Sequence, residues 1–346
     1  MKNLFLYSCT AFFTLAVQAQ NVFFRSGHSF KEDELKNFYA SINMKGDLLL
    51  YNAPDHGLYA YDTKTATLQW SYNLGRKSDV PPHFVGNVIW ANGRKNVIEL
   101  DTATGIAIDT LALQSVLTAP YIKDGVVYAT GIHDGGCILA YSRQADTIIW
   151  KRFIAHGSSV RPYFQTKKII VNGEGSNWLE LNYDGRSVIA GCNHSEDEPP
   201  SASSCFRSFT ALTHDQKEIK ETLAEKIDAN GEGTPDFYYG TGHTFALNDG
   251  VLYIIGNKLK MLAEVHLYEL SDTLEFSHSR PSKILRVDKD MICVLYGDHL
   301  LEYDYKKKRL LKVLDLRKYD VHQAILDGER LWLVSRNDGL LYGLDM

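Results

Sequence analysis

Short apolar segments recur along the chain and are separated by turns that contain Gly, Asp or Asn. In the first copy, the turn at Gly46-Asp47 leads into Leu48–Tyr51, and a second apolar segment ends at Asp62 before Trp70. The pattern returns about every 40 residues, and seven copies are recognisable. The segments are rich in β-branched and aromatic residues, and their spacing is typical of strands joined by tight turns.

Four strands in a repeat of about 40 residues predict a β-propeller, in which similar sheets are arranged around an axis. We therefore expect an all-β fold with seven four-stranded blades, and eight blades are the alternative. The last copy stops after its third strand, whereas the segment Asn21–Phe24 is a spare strand near the N-terminus. Pairing of this segment with the last copy would complete a blade and remove two exposed sheet edges.

The N-terminus has the features of an export signal. Lys2 precedes a mostly apolar stretch from Leu4 to Val17, and Val17-Gln18-Ala19 is a small-residue cleavage site. We predict a signal peptide over residues 1–19 and one propeller domain over residues 20–346, periplasmic or secreted. The apolar stretch continues past Cys9, which argues against a lipoprotein, and no later segment is suited to span a bilayer.

Composition and cysteine placement narrow the class further. The chain has 346 residues, 45% of them hydrophobic, and its net charge of -5 does not favour nucleic-acid binding. Cys192 and Cys205 flank a Ser/Pro-rich loop and are predicted to form a disulfide in an oxidising compartment. Cys137 and Cys293 lie in apolar segments, where buried free thiols are usual.

One copy carries a longer motif. Residues 60–70 read Ala-Tyr-Asp-Thr-Lys-Thr-Ala-Thr-Leu-Gln-Trp, which resembles the Ala-x-Asp-x-x-Thr-Gly-x-x-x-Trp repeat of the pyrroloquinoline quinone (PQQ)-type propellers, a WD40-like architecture. Ala66 replaces the glycine of that repeat. The second copy keeps Thr104-Gly105 but has Asp109 where the tryptophan belongs, and the third copy keeps Trp150.

The resemblance implies one of two functions. Quinoprotein dehydrogenases of this family hold PQQ beneath adjacent cysteines and above calcium, and this sequence has no adjacent cysteines. PQQ is therefore not expected. The other branch resembles the outer-membrane assembly propeller lipoprotein, which is a non-catalytic scaffold for protein partners. The size of the chain and its export signal favour that branch.

An insertion over residues 191–240 interrupts the repeat. It contains a helix candidate, residues 216–227, followed by an acidic loop in which oxygen-bearing residues alternate and Gly occupies the turn. Such a loop is suited to structural Ca²⁺, and a solvated turn is the alternative. The candidate ligands are Asp228, Asn230, Glu232, Thr234 and Asp236.

Five further residues are predicted near the starts of the innermost strands, where they would form a binding rim at one mouth of the central channel. They are His83, Tyr121, Tyr163, His243 and His322. Packing of these side chains within the fold is the alternative interpretation.

The sequence contains neither a His-Glu-x-x-His metal motif nor a Gly-x-Ser-x-Gly nucleophile motif. We therefore favour the interpretation that the protein is not an enzyme. The prediction is an exported, monomeric propeller that acts as a protein-interaction scaffold in the cell envelope. A small quinoprotein-like oxidoreductase and a glycan-binding or small-ligand-binding propeller are the alternatives.

Overall fold

The computed structural model describes residues 21–159, 161–172, 178–187, 236–239, 242–256, 260–275 and 282–346. These residues form seven antiparallel sheets, numbered I to VII in chain order, in which most strands pair with the next strand of the chain. One short helix, α1 (Glu32–Leu35), precedes sheet I, and three 3-10 helices span Ala155–Ser159, Leu267–Glu269 and Arg317–Tyr319. No described helix is long and apolar enough to cross a membrane.

The first four sheets occupy the N-terminal half. Sheet I contains β2 (Ser41–Lys45), β3 (Leu48–Asn52), β4 (Gly57–Asp62) and β5 (Thr67–Asn73). Sheet II contains β6 (His83–Val85), β7 (Val88–Asn92), β8 (Val97–Asp101) and β9 (Ala107–Leu111). Sheet III contains β10 (Ser115–Val116), β11 (Tyr121–Lys123), β12 (Val126–Ile132), β13 (Gly136–Ser142) and β14 (Thr147–Phe153). Sheet IV contains β15 (Tyr163–Phe164), β16 (Lys168–Asn172) and β17 (Trp178–Asn182).

The remaining sheets follow in the same order. Sheet V contains β18 (Asp236–Tyr239), β19 (His243–Asn248), β20 (Val251–Gly256) and β21 (Met261–His266). Sheet VI contains β22 (Ser282–Val287), β23 (Met291–Tyr296), β24 (His299–Asp304) and β25 (Arg309–Asp315). Sheet VII contains β26 (Val321–Asp327), β27 (Arg330–Ser335), β28 (Leu341–Asp345) and the N-terminal strand β1 (Asn21–Arg25).

The apolar core lies between neighbouring sheets. Six buried clusters of described residues are each shared by two sheets: I with II, II with III, III with IV, V with VI, VI with VII, and VII with I. The contact between VII and I returns the series to its beginning. β1 pairs with β28, so the predicted pairing of the N-terminal segment with the last copy is confirmed. This arrangement is a β-propeller.

The first strands of the sheets line the inside of the ring. The backbone N–H of Ile42 in β2 donates to Gln323 Oε1 in β26 at 3.2 Å. In the same way the N–H of Ile284 in β22 donates to Asp236 Oδ2 in β18 at 2.6 Å. Side chains of one first strand thus satisfy the otherwise unpaired backbone edge of the next. We call the end at which first strands begin the upper end, and the opposite end the lower end.

The tryptophan and glycine positions of the repeat motif join outer strands to the following sheet. Trp70 in β5 donates from Nε1 to the carbonyl of Thr102 in sheet II at 3.1 Å, and Trp150 in β14 donates to the carbonyl of Tyr183 in sheet IV at 3.0 Å. A Cβ atom at Gly105 would lie 2.4 Å from the Trp70 ring. The glycine of the motif is therefore required because the indole of the previous sheet lies directly on it.

Sheet V departs from the predicted register. An innermost strand that starts near His243, as predicted, would put the Asp249-Gly250 turn between first and second strands, but the structure has it between β19 and β20, the second and third strands. The short segment Asp236–Tyr239 forms the additional first strand and pairs with β19. The sequence did not predict this strand, because its four residues show no alternation of apolar and polar side chains.

Candidate functional site

The predicted rim is not one ring of side chains. His322, the second residue of β26, does lie at the upper end. Its Nε2 is 2.9 Å from the carbonyl oxygen of Ala40 and 2.9 Å from Asp79 Oδ1. Because both neighbours are acceptors, Nε2 carries the hydrogen and donates to them. The imidazole therefore connects sheet VII to the residues that precede β2 and β6.

His83 begins β6 as predicted, but its side chain is buried and only 5% exposed. Burial, and to a lesser degree the positive charge of Arg161, lowers the pKa of His83 to about 4. Its Nε2 has no hydrogen-bond partner among the described residues. His83 is therefore a buried, neutral side chain at pH 7, which is the environment that the alternative interpretation of packing within the fold expects.

Tyr121 and His243 differ in how they follow the prediction. The first strand of sheet III is divided into β10 and β11, and Tyr121 begins the second piece in the same register as His83, since Tyr121 pairs with Tyr128 as His83 pairs with Trp90. The Tyr121 ring stacks on Phe164 at 4.5 Å. His243 begins β19, a second strand, beside Tyr239 at the end of β18, and so lies at the lower end near Tyr305. The break in sheet III therefore leaves Tyr121 at the start of a first-strand segment, whereas the additional strand β18 shifts the register of sheet V and moves His243 to a second strand.

The last predicted rim residue, Tyr163, begins β15 and pairs through its backbone with Ile170, and its side chain is outside the described part. Four of the five candidate calcium ligands, the helix candidate and both Cys192 and Cys205 also lie outside the described residues. Asp236 is described: burial raises its pKa, and Oδ2 accepts the Ile284 N–H. The described residues contain no group of three or more His, Cys, Asp or Glu side chains arranged to hold a metal.

Cys137 and Cys293 are buried free thiols, which confirms that prediction. Burial raises the pKa of Cys137, and it raises the pKa of Cys293 to about 11. A thiol of this kind is a poor nucleophile at neutral pH. Neither cysteine has the environment of a reactive or redox-active residue.

Apolar side chains are exposed mainly on one part of the ring. Of the eleven large apolar side chains that are exposed among the described residues, seven belong to sheets I to III or their turns. Five of them lie on outer strands or in the turn before one, and we call these the apolar outer surface: Leu68, Ile106, Ile108, Ile149 and Phe153. Ile106 and Ile108 are the most exposed, at 66% and 55%.

The boundary between sheets II and III differs from its neighbours. Where β5 and β14 carry a tryptophan opposite an alanine, β9 carries Asp109 opposite Glu99. Glu99 is only 2% exposed, accepts a hydrogen bond from Trp90 Nε1 at 2.8 Å and forms an ion pair with Arg143 of sheet III. A charged network therefore replaces the indole contact at this boundary.

A second polar contact anchors the end of β9. Asp146 stands where the motif has glycine, and its Oδ1 accepts the backbone N–H of Ala112 at 3.1 Å and the hydroxyl of Tyr141. The Tyr141 hydroxyl is the main cause of the lowered pKa of Asp146. Asp109 was visible in the sequence as a departure from the motif, but the compensating partners were not. The exposure of β9 was missed for the same reason.

These features define the chain as a β-propeller with an unusually open outer strand. Among solved structures, it is similar to BamB from Moraxella catarrhalis, with 14% identity, 89% of this chain and 82% of that chain covered, and a TM-score of 0.46. It is also similar to the computationally designed protein Ika8, with 13% identity, 88% of this chain and 95% of that chain covered, and a TM-score of 0.60. The second likeness supports the fold alone. No family model and no curated protein matches the chain.

Proposed function

We propose that this chain is a non-enzymatic binding propeller that acts outside the cytoplasm, and that a protein partner docks on its apolar outer surface. The observation that carries the proposal is the concentration of exposed apolar side chains on sheets I to III. Apolar patches that remain exposed on a folded protein commonly mark interaction sites, because their burial by a partner is favourable. The export signal read from residues 1–19 supports a location in the periplasm or outside the cell.

The rigidity of the surface supports a scaffold role. Trp70 and Trp150 bind the turns of the following sheets, and Arg143 binds Glu99 across the boundary between sheets II and III. The outer strands are thus held in place before a partner arrives. A preorganised surface loses less conformational entropy on binding than a mobile one.

The test is affinity capture of tagged residues 20–346 from the native envelope fraction, followed by mass spectrometry. The variant Ile106→Asp/Ile108→Asp removes the apolar character of β9 and its turn. Leu262→Asp/Leu311→Asp is the matched control, because both residues are exposed on outer strands of sheets V and VI. Equal circular dichroism spectra and melting temperatures establish that both variants are folded.

We expect a stoichiometric partner on the wild type and on the control, and at least a tenfold loss on the Ile106→Asp/Ile108→Asp variant. Retention of the partner by both variants would show that the contact lies elsewhere. A wild-type capture without any stoichiometric protein would refute the protein-binding proposal itself.

A further inference from the structure

The outer strand of sheet II is more open than the outer strands on either side of it. Four of the five residues of β9 are exposed, and only Leu111 is buried. In β14 exposed residues alternate with half-buried ones, and in β5 five of the seven residues are exposed but Trp70, in the middle, is buried against the next sheet. In addition, β9 is the last strand of its sheet, and no described strand pairs with its outer edge.

The openness of β9 follows from the charged boundary. An indole at position 109 would lie across the turn of sheet III, as Trp70 does on the turn of sheet II. With Asp109 in that position, the polar contacts to sheet III are made by Glu99 of the neighbouring strand β8 and by Ala112 beyond the end of β9, and Leu111 packs in the apolar cluster that the two sheets share. Residues 107–110 are therefore held to sheet III at one end of the strand, and their side chains are exposed on both faces of sheet II.

Folded proteins normally protect such an edge, because unpaired backbone groups beside apolar side chains invite another strand. Here the protection consists of a bulge at Ile108 and the charge of Asp109, and it is incomplete, since the apolar side chains of Ile106 and Ile108 flank the edge. From this exposure we infer that β9 is an acceptor strand, and that an extended segment of the protein partner adds to sheet II by backbone hydrogen bonds. This inference rests on the proposed function and specifies how the partner binds.

The charges near β9 identify the chemistry of that segment. Asp109 is the middle residue of the strand and is exposed, and the carboxylates of half-buried Asp101 and exposed Asp146 lie at its two ends. A donor strand with lysine or arginine on the Asp109 face and apolar residues on the Ile108 face would match this pattern. A second copy of this chain is a poor donor, because antiparallel pairing of two β9 strands centred on Asp109 sets like charges opposite each other.

The test uses a defined probe, an acetylated and amidated seven-residue peptide of alternating valine and lysine. Its matched control is the same peptide with glutamate in place of lysine. Backbone hydrogen exchange of the folded protein is measured with each peptide, by mass spectrometry of the segment that contains residues 106–111. The Asp109→Lys variant tests the charge match, and Asp272→Lys, at an exposed turn of sheet V, controls for the change in net charge.

We expect the lysine peptide to slow exchange of β9 selectively and to bind about fivefold more tightly than the glutamate peptide, as expected for cross-strand charge pairs. Asp109→Lys should reverse that preference, and Asp272→Lys should not. Equal exchange of β9 with and without the lysine peptide would overturn the acceptor-strand inference. If partner capture still depends on Ile106 and Ile108 in that case, the proposed function stands and only the strand pairing is wrong.

Discussion

The contact between Gly105 and Trp70 gives the sharpest test of how neighbouring sheets are held together. Gly105 has a φ of +69°, and a Cβ atom there would lie 2.4 Å from the Cδ2 and Cε3 atoms of Trp70. The indole is fixed by its hydrogen bond to the carbonyl of Thr102 and by burial. The substitution Gly105→Ala therefore cannot be accommodated by a small movement of a flexible side chain.

Two costs add in this substitution. An L-residue in the left-handed region costs about 1–2 kcal/mol, and overpacking in a well-packed interior costs about 1–3 kcal/mol. We expect Gly105→Ala to lower the free energy of unfolding by about 2–5 kcal/mol in total. Net stabilities of folded domains are about 5–15 kcal/mol, so the loss would be easily measured.

The free energy of unfolding is measured by urea denaturation followed by tryptophan fluorescence and circular dichroism. Gly46→Ala is the matched control, because Gly46 also has a positive φ, +57°, but a Cβ atom there meets no atom within 4 Å. The control should show only the backbone cost. The difference between the two variants therefore reports the contact with Trp70.

A double-mutant cycle with Trp70→Leu identifies the neighbour responsible. If the clash is with the indole, Gly105→Ala should cost at least 1 kcal/mol less in the Trp70→Leu background than in the wild type. Equal stability of Gly105→Ala and Gly46→Ala would refute the argument that the motif glycine is required by the tryptophan of the preceding sheet.

Three further predictions follow from buried groups. Arg143→Met should lower the free energy of unfolding by about 3 kcal/mol, because it leaves the Glu99 carboxylate buried without its ion-pair partner. The double substitution with Glu99→Met should recover part of that loss, as measured by urea denaturation. Burial lowers the pKa of His83 from its ordinary value of 6.5 to about 4, so the imidazole binds a proton more readily in the unfolded chain than in the folded one. The contribution of neutral His83 to stability is therefore complete above pH 6.5, and it falls by about 3 kcal/mol as the pH drops toward 4. His83→Gln should flatten that part of the pH profile of unfolding, and an unchanged slope would exclude His83 as its source. Iodoacetamide should leave Cys137 and Cys293 unmodified in the native protein at pH 8 and should alkylate both in urea, as measured by peptide mass spectrometry. Alkylation of either cysteine in the native protein would contradict its burial.

Much of the architecture was predictable because it depends on local patterns. Strand segments and tight turns follow from side-chain type and from Gly or Asp at turn positions, as in Gly46-Asp47 and Asp327-Gly328. The pairing of β1 with β28 was predictable too, because a final copy with three strands leaves an edge that a spare N-terminal strand can cover. These inferences needed no knowledge of side-chain contacts between sheets.

The candidate sites were less predictable because they depend on register and on contacts distant in sequence. An unrecognised strand at Asp236–Tyr239 moves His243 to the opposite end of the ring, whereas Tyr121 keeps the register of His83. A shift by one strand reverses the end at which a residue lies, since neighbouring strands are antiparallel. Sequence spacing alone therefore located the sheets better than the ends of their strands.

The boundary between sheets II and III shows why a departure from a repeat can matter more than the repeat itself. An indole contact, such as Trp70 on Gly105, buries the middle of the outer strand against the next sheet, although Leu68 of that strand stays exposed. At Asp109 the same position is polar, and Arg143 on Glu99 and Asp146 on the backbone of Ala112 add to the apolar cluster that sheets II and III share. Neither of these two contacts involves residues 107–110, the exposed part of β9. The substitution of a charged network for an indole thus keeps the ring joined while it releases an outer strand, which is the combination that a binding edge on a rigid scaffold requires.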